Sequence, residues 1–98
     1  MQYLIMTSDE GDVDWKTKSE SLKREARYLW SLAEKGIVRN IWFTENTRDA
    51  VLMLEADSEQ QAAALMAEAP LVDEGLIGFK VVGLTAYTGF ERLFNGTD

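Results

Sequence analysis

Arg39 is the first side chain to weigh for chemistry, because it alternates with the apolar Ile37, Ile41 and Phe43. If that face of a strand is enclosed, its guanidinium needs an anionic partner, since an unpaired buried charge is very costly. Two partners are open to it. One is the carboxylate or enolate of a ligand, held by a charge-assisted bidentate contact. The other is an acid of the chain itself, such as Glu55. Glu55 is also the candidate proton carrier, because a carboxylate in an apolar pocket has a raised pKa and can shuttle a proton. Trp42 and Tyr3 offer aromatic surface with a polar rim, suited to a ligand pocket or to core and interface packing. Asp73, Glu74, Lys80 and Tyr87 are further polar groups that fit a solvated loop or rim as well as a site.

What is missing narrows the chemistry further. The chain has no histidine and no cysteine. The commonest general base and the commonest transition-metal ligand are therefore absent, as are disulfides and thiolate metal sites. Zinc or non-haem iron is not expected on carboxylates alone. Gly75, Leu76, Ile77 and Gly78 lack the lysine and the strand-to-helix setting of a phosphate loop. No serine or threonine sits in a nucleophile motif. The expectation is a site with no metal and no cofactor. A net charge of −7 repels nucleic acid and anionic membranes. No apolar run approaches the ~20 residues of a membrane span. Met1 to Met6 is apolar but has no basic flank, and Asp9, Glu10 and Asp12 follow it, so the expected location is the cytoplasm. Asn95, Gly96 and Thr97 match a glycosylation acceptor, which needs a secretory route that nothing else supports.

The elements that must position these groups follow from periodicity. With 98 residues the chain is read as a single domain, residues 1–98. Strands are expected over residues 2–7, 37–44, 49–56 and from 75 towards 87. A helix is expected from Trp15 to Lys35, with Leu22, Ala26, Leu29, Trp30 and Ala33 as its apolar stripe. Lys23, Arg24, Glu25 and Arg27 fall mainly outside that stripe and are expected on the solvated face. Asp12 or Asp14 would cap it, and Gly36 would end it in a left-handed turn. Ser58 to Gln61 fits a capping box, and Ala62, Leu65, Met66 and Ala69 form the buried side of a second helix, which Pro70 ends. Gly78 and Gly83 imply bulges or a close backbone approach in the last strand. The order β-α-β-β-α-β is the ferredoxin-like α+β pattern, with a four-stranded antiparallel sheet and both helices on one face. At least three of the strands are apolar on both faces, whereas a sheet with one wet face should alternate. Two helices cover only one face, so a second copy of the chain is expected on the other, making a dimeric α+β barrel. Phe90, Leu93 and Phe94 place one apolar face on the tail, residues 88–98, which would pack on that partner.

Gly36, Ile37, Val38, Arg39, Asn40, Ile41 and Trp42 resemble the segment after the first helix of the muconolactone isomerases, where glycine precedes an arginine-x-x-tryptophan step. Ala69, Pro70 and Leu71, followed by Phe79, Lys80, Val81, Val82, Gly83 and Leu84, resemble that family's proline-leucine turn and final strand. The resemblance covers residues 29–87. It implies a ferredoxin-like protomer, dimeric barrels that can build higher oligomers, and isomerisation of an unsaturated lactone without metal or cofactor. Arg39 and Trp42 carry over as site residues, and Pro70 and Leu71 as structural ones. The chain departs from the family at Asn40, where the family has histidine, and at Phe43, where it has arginine. It also lacks the histidine of the histidine-aspartate pair common in the related YCII-like proteins. The implied activity is metal-free proton transfer on a small unsaturated or aromatic acid or lactone. Arg39 would hold the anionic end, Tyr3 and Trp42 would pack the ring, and Glu55 would move the proton. A cofactor-free monooxygenase of the same barrel, and a non-catalytic ligand-binding or assembly module, are the alternatives.

Overall fold

Alternating burial along the first strand sets the architecture: Tyr3, Ile5 and Thr7 are buried, while Gln2, Met6 and Ser8 are exposed. A computed structural model describes residues 1–95. The Asn95, Gly96 and Thr97 triplet and the end of the 88–98 tail run outside the described residues. Strands β1 (Gln2–Asp9), β2 (Val38–Phe43), β3 (Ala50–Glu55) and β4 (Ile77–Leu84) form one antiparallel sheet in the order β2-β3-β1-β4. Helices α1 (Ser19–Glu34) and α2 (Glu59–Ala67) cross over the same face, with the short α3 (Pro70–Asp73) leading into β4. This is the expected βαββαβ order.

Register decides which residues meet the helices. Tyr3 pairs with Leu54 and Gly83, and Ile5 pairs with Leu52 and Val81. These residues share the helix-covered face, since side chains alternate with period two. Ile5, Leu52, Leu54 and Met66 are completely buried there, each contributing about 1.5–3 kcal/mol by area. Ala62 and Ala69 let α2 and the start of α3 approach closely. The opposite face presents Leu4, Met6, Val51, Met53 and Val82, partly or largely exposed and covered by nothing in the described residues.

Several local expectations are refined. Trp15–Thr17 is a separate 3-10 turn, capped by Asp14, whose Oδ1 accepts from the Lys16 N–H; α1 starts at Ser19. Gly36 takes the left-handed φ of 76° after the helix, as anticipated. Ser58 Oγ accepts from the Gln61 N–H at 3.1 Å, and the Gln61 side chain turns back to the Asp57 N–H, one residue before the cap. Pro70 marks a boundary as expected, but α2 has already ended and the ring begins α3 instead, where its missing N–H is harmless. The one register shift lies in β2, between Val38 and Asn40, not at Gly78 or Gly83. Gly83 instead admits the Tyr3 ring, which would sit 3.4 Å from an added Cβ.

Candidate functional site

Glu25 is the chemically unusual residue of α1. It sits mid-helix with only 8% of its surface exposed. Oε1 accepts the backbone N–H of Leu71 at 3.0 Å, one of the free donors in the first turn of α3. Oε2 has no protein partner, and no buried polar side-chain atom is left unsatisfied among the described residues. Oε2 is therefore not fully enclosed. Burial pushes the Glu25 pKa above the ordinary carboxylate value; the Leu71 N–H pulls it back, and the nearby Glu74 charge pushes it up again. A carboxyl of this kind keeps its proton to higher pH than a surface acid does.

The expectation that Glu25 belongs to a solvated face is overturned. Leu22, Glu25, Leu29 and Leu32 lie at i, i+3, i+7 and i+10, so the acid stands within an apolar spacing. Ser21, Glu25 and Leu32 are the buried residues of α1. The stripe expected to be core is turned partly outward: Leu22, Ala26 and Ala33 are exposed, and Trp30 is 67% exposed.

Those outward residues face β2 across an apolar groove of about 950 Å³. Ile41 and Phe43 form its far wall, and both are more exposed than strand residues facing a helix layer usually are. Glu25 and Thr7 are among its lining residues. Thr7 Oγ1 is tied to Ala50, donating to its carbonyl at 3.1 Å and accepting from its N–H at 2.9 Å. Trp15 borders the groove with its indole N–H donating to Asp9 Oδ2 at 2.9 Å. Arg48, in the β2–β3 connection, completes the rim.

The four residues singled out from the sequence do not line one cavity. Trp42 contributes to the groove. It pairs with Val51, so its side chain belongs to the open sheet face. Tyr3 is in the core, its hydroxyl 3.7 Å from Met1 Sδ. Glu55 ends β3 at the opposite end of the sheet. It lies 3.5 Å from the N-terminal ammonium and borders a separate pocket of about 280 Å³ with Ile37 and Leu65. Arg39 is exposed at the β2 bulge. The bulge changes the alternation, so that Val38 rather than Arg39 comes into line with Ile41 and Phe43 on the helix side. Among the described residues no three His, Cys, Asp or Glu side chains cluster as metal ligands. No helix among the described residues is long and apolar enough to cross a membrane.

No family model and no curated protein matches the sequence. Solved structures do match. A muconolactone isomerase superposes with a TM-score of 0.75 at 16% identity, covering 90% of this chain and 92% of the isomerase. The 5-chloro-2-hydroxyhydroquinone dehydrochlorinase TftG from Burkholderia phenoliruptrix AC1100, in complex with 2,5-dihydroxybenzoquinone, superposes with a TM-score of 0.73 at 17% identity, covering 91% of this chain and 98% of that one. The chain has the fold of the muconolactone isomerase-like proteins, as the motifs in strand two and strand four imply.

Proposed function

We propose that this protein is a small-molecule enzyme that transfers a proton on an unsaturated or aromatic acid or lactone, with Glu25 as the acid–base group. The single observation that carries the reading is a buried carboxylate with one free oxygen inside a large apolar groove. In this reading Glu25 takes a proton from carbon or oxygen of the substrate and returns it at a second position. No metal or cofactor is required for that step. Two solved neighbours support the substrate class: one is an isomerase of a lactone, and the other holds a dihydroxybenzoquinone. Phe43 would pack the substrate's conjugated system.

The test is deuterium incorporation from heavy water into unsaturated lactones and hydroxyaromatic acids, with 2,5-dihydroxybenzoquinone as a binding probe. Glu25→Gln should lower exchange by about 10²- to 10⁴-fold, the usual worth of a positioned acid–base group. An alternative assignment places the chemistry at the other end of the sheet, with Arg39 holding the anion, Glu55 moving the proton and Tyr3 beside them. Full exchange in Glu25→Gln, with loss in Arg39→Ala and Glu55→Gln, would transfer the site there.

The same proposal includes a homodimer. Leu4, Met6, Val51, Met53, Trp42 and Val82 form an apolar sheet face of the kind that marks an interface. The chain also carries an arm. Its long axis is 59 Å and its radius of gyration 16.3 Å, against about 13 Å for a compact domain of this length. On the arm Tyr87, Phe90, Leu93 and Phe94 are each 66% or more exposed, and the Tyr87 and Phe90 rings meet edge-to-face at 5.0 Å. The arm leaves β4 beside Gln2, diagonally across the sheet from the groove rim at Asp9 and Asp49. A neighbouring copy is the natural cover for both surfaces. Sedimentation should give a dimer or larger, and truncation before Thr85 should shift it toward monomer.

A further inference from the structure

The groove rim carries a cation that neither the fold nor the proton-transfer reading requires. Arg48 lies in the six-residue connection between β2 and β3. That connection satisfies its own polar groups. Thr44 N–H donates to the Asp49 carbonyl at 2.8 Å, and Arg48 N–H donates to the Thr44 carbonyl at 3.0 Å. The Thr44 and Thr47 hydroxyls are 2.7 Å apart, and Thr47 Oγ1 also donates to Asp49 Oδ2 at 2.7 Å. Asp49, the adjacent acid, is thus engaged by a hydroxyl rather than by the guanidinium. Asp9, the other acid on this rim, accepts from the Trp15 indole.

The Arg48 guanidinium makes no hydrogen bond and no ion pair among the described residues. Its carbon stacks over the Phe43 ring at 4.5 Å from the centroid. That contact is to the face of the ring and leaves the N–H groups of the fork without a protein partner among the described residues. Arg48 is the only basic side chain lining the groove, in a chain with 17 acids and 10 bases. It is also the one non-glycine residue with a left-handed backbone, φ 54°, among the described residues. A glycine would adopt that conformation with less strain. Apart from the Phe43 contact, the local fold gives no reason for arginine here.

We infer that Arg48 is the anion anchor of the groove, selecting planar conjugated acids by a bidentate contact to their carboxylate or enolate oxygens at the rim. This rests on the proton-transfer reading for the location of the site and deepens it by fixing the substrate's charge and orientation. The anionic end lies outward on Arg48, beside the Phe43 ring. The conjugated body lies between α1 and β2. The reacting carbon points inward to Glu25. This arrangement keeps the substrate's charge away from the Glu25 carboxylate and brings only its neutral part to the base.

The experiment compares 4-hydroxybenzoate with its neutral amide, 4-hydroxybenzamide, by calorimetry on the full chain. The wild type should bind the acid more tightly than the amide. Arg48→Gly should weaken acid binding by about 10- to 100-fold, the range for hydrogen bonds to a charged group, with amide affinity unchanged. Arg48→Lys keeps the charge but not the fork, and should fall between them. Arg27→Ala, an exposed arginine of α1 away from the groove, should change neither. Arg48→Gly also relieves the left-handed backbone, so its melting temperature should hold or rise, which separates lost affinity from lost structure. Equal binding of acid and amide to the wild type, binding of neither, or unchanged acid affinity in Arg48→Gly overturns the assignment. Binding does not require turnover, so this result stands apart from the exchange test on Glu25→Gln.

Discussion

The two sides of the helical layer are built differently on one sheet. On the α2 side, small residues let helix and strands close together: Ala62 and Ala69 are fully buried, and Met66 is enclosed in one core with Leu54 and Ile5. On the α1 side, the helix holds itself off β2. Leu22 and Trp30 are exposed, Phe43 is 61% exposed, and a groove lies between them. Both sides are apolar, yet only one is closed. The carboxylate with a free oxygen sits at the inner edge of the open one. What distinguishes the candidate site is not hydrophobicity but the failure of two apolar surfaces to meet around a polar group.

Truncation tests that contrast most directly. Met66→Ala removes a side chain that is completely enclosed, and should cost about 2–5 kcal/mol in unfolding free energy. Trp30→Ala removes a larger side chain from the groove wall, and should change stability by no more than about 0.5 kcal/mol, the range of surface substitutions. Denaturant titration of both variants measures the difference. Equal losses would mean that the groove is closed in solution and the comparison is false.

Next in size is the α2 cap. Ser58→Ala removes the Oγ that accepts from the Gln61 N–H, and should cost about 1 kcal/mol. Helix α1 has no such device: Lys18 occupies its cap position and makes no side-chain cap bond. Lys18→Ala should therefore leave stability almost unchanged. The closed side would then be the side whose helix is secured locally as well as by packing.

The sequence made the closed side easy to read and the open side hard. The apolar strand segments, the Ser58 capping box and the Gly36 stop are local signals, and each has its counterpart in the structure. The apolar faces of β1 and β3 that point away from the helices were legible for the same reason. The groove was not, because periodicity reports that a residue is apolar and not whether anything reaches it. Leu22, Trp30, Ile41 and Phe43 have the spacing of core residues and lack only a neighbour. Glu25 carried a readable signal, a lone charge spaced with Leu22, Leu29 and Leu32, but the surrounding lysines and arginines made it look like part of a wet face. Arg39 was misplaced on its strand face by one bulge, which no residue type in β2 announces.

Acid–base behaviour separates the two carboxylates held near α3, and gives the smallest effects. Glu74 stands outside the groove. Ser21 Oγ donates to its Oε1 at 2.7 Å, and Arg24 donates to its Oε2 at 3.0 Å. These bonds, Ser21 first, hold the Glu74 carboxyl below its ordinary pKa. Glu25 is shifted the other way, by burial. A lowered folded pKa means that the native state binds the Glu74 proton less tightly than the unfolded chain does. Its contribution is present above the unfolded pKa and fades as pH falls through the folded one. A raised folded pKa means the reverse for Glu25: its contribution is complete below the unfolded pKa and fades as pH rises through the folded one. Glu25→Gln keeps an oxygen for the Leu71 N–H and cannot ionise. It should melt higher than the wild type at neutral pH, with the gain vanishing on acidification. Glu74→Gln loses its ionic contact with Arg24 and should melt slightly lower at neutral pH, with the deficit vanishing as the wild-type carboxyl protonates. Melting curves at several pH values read both trends. Parallel trends would mean that Glu25 is as well solvated as Glu74, and would remove the reason to place proton transfer in the groove.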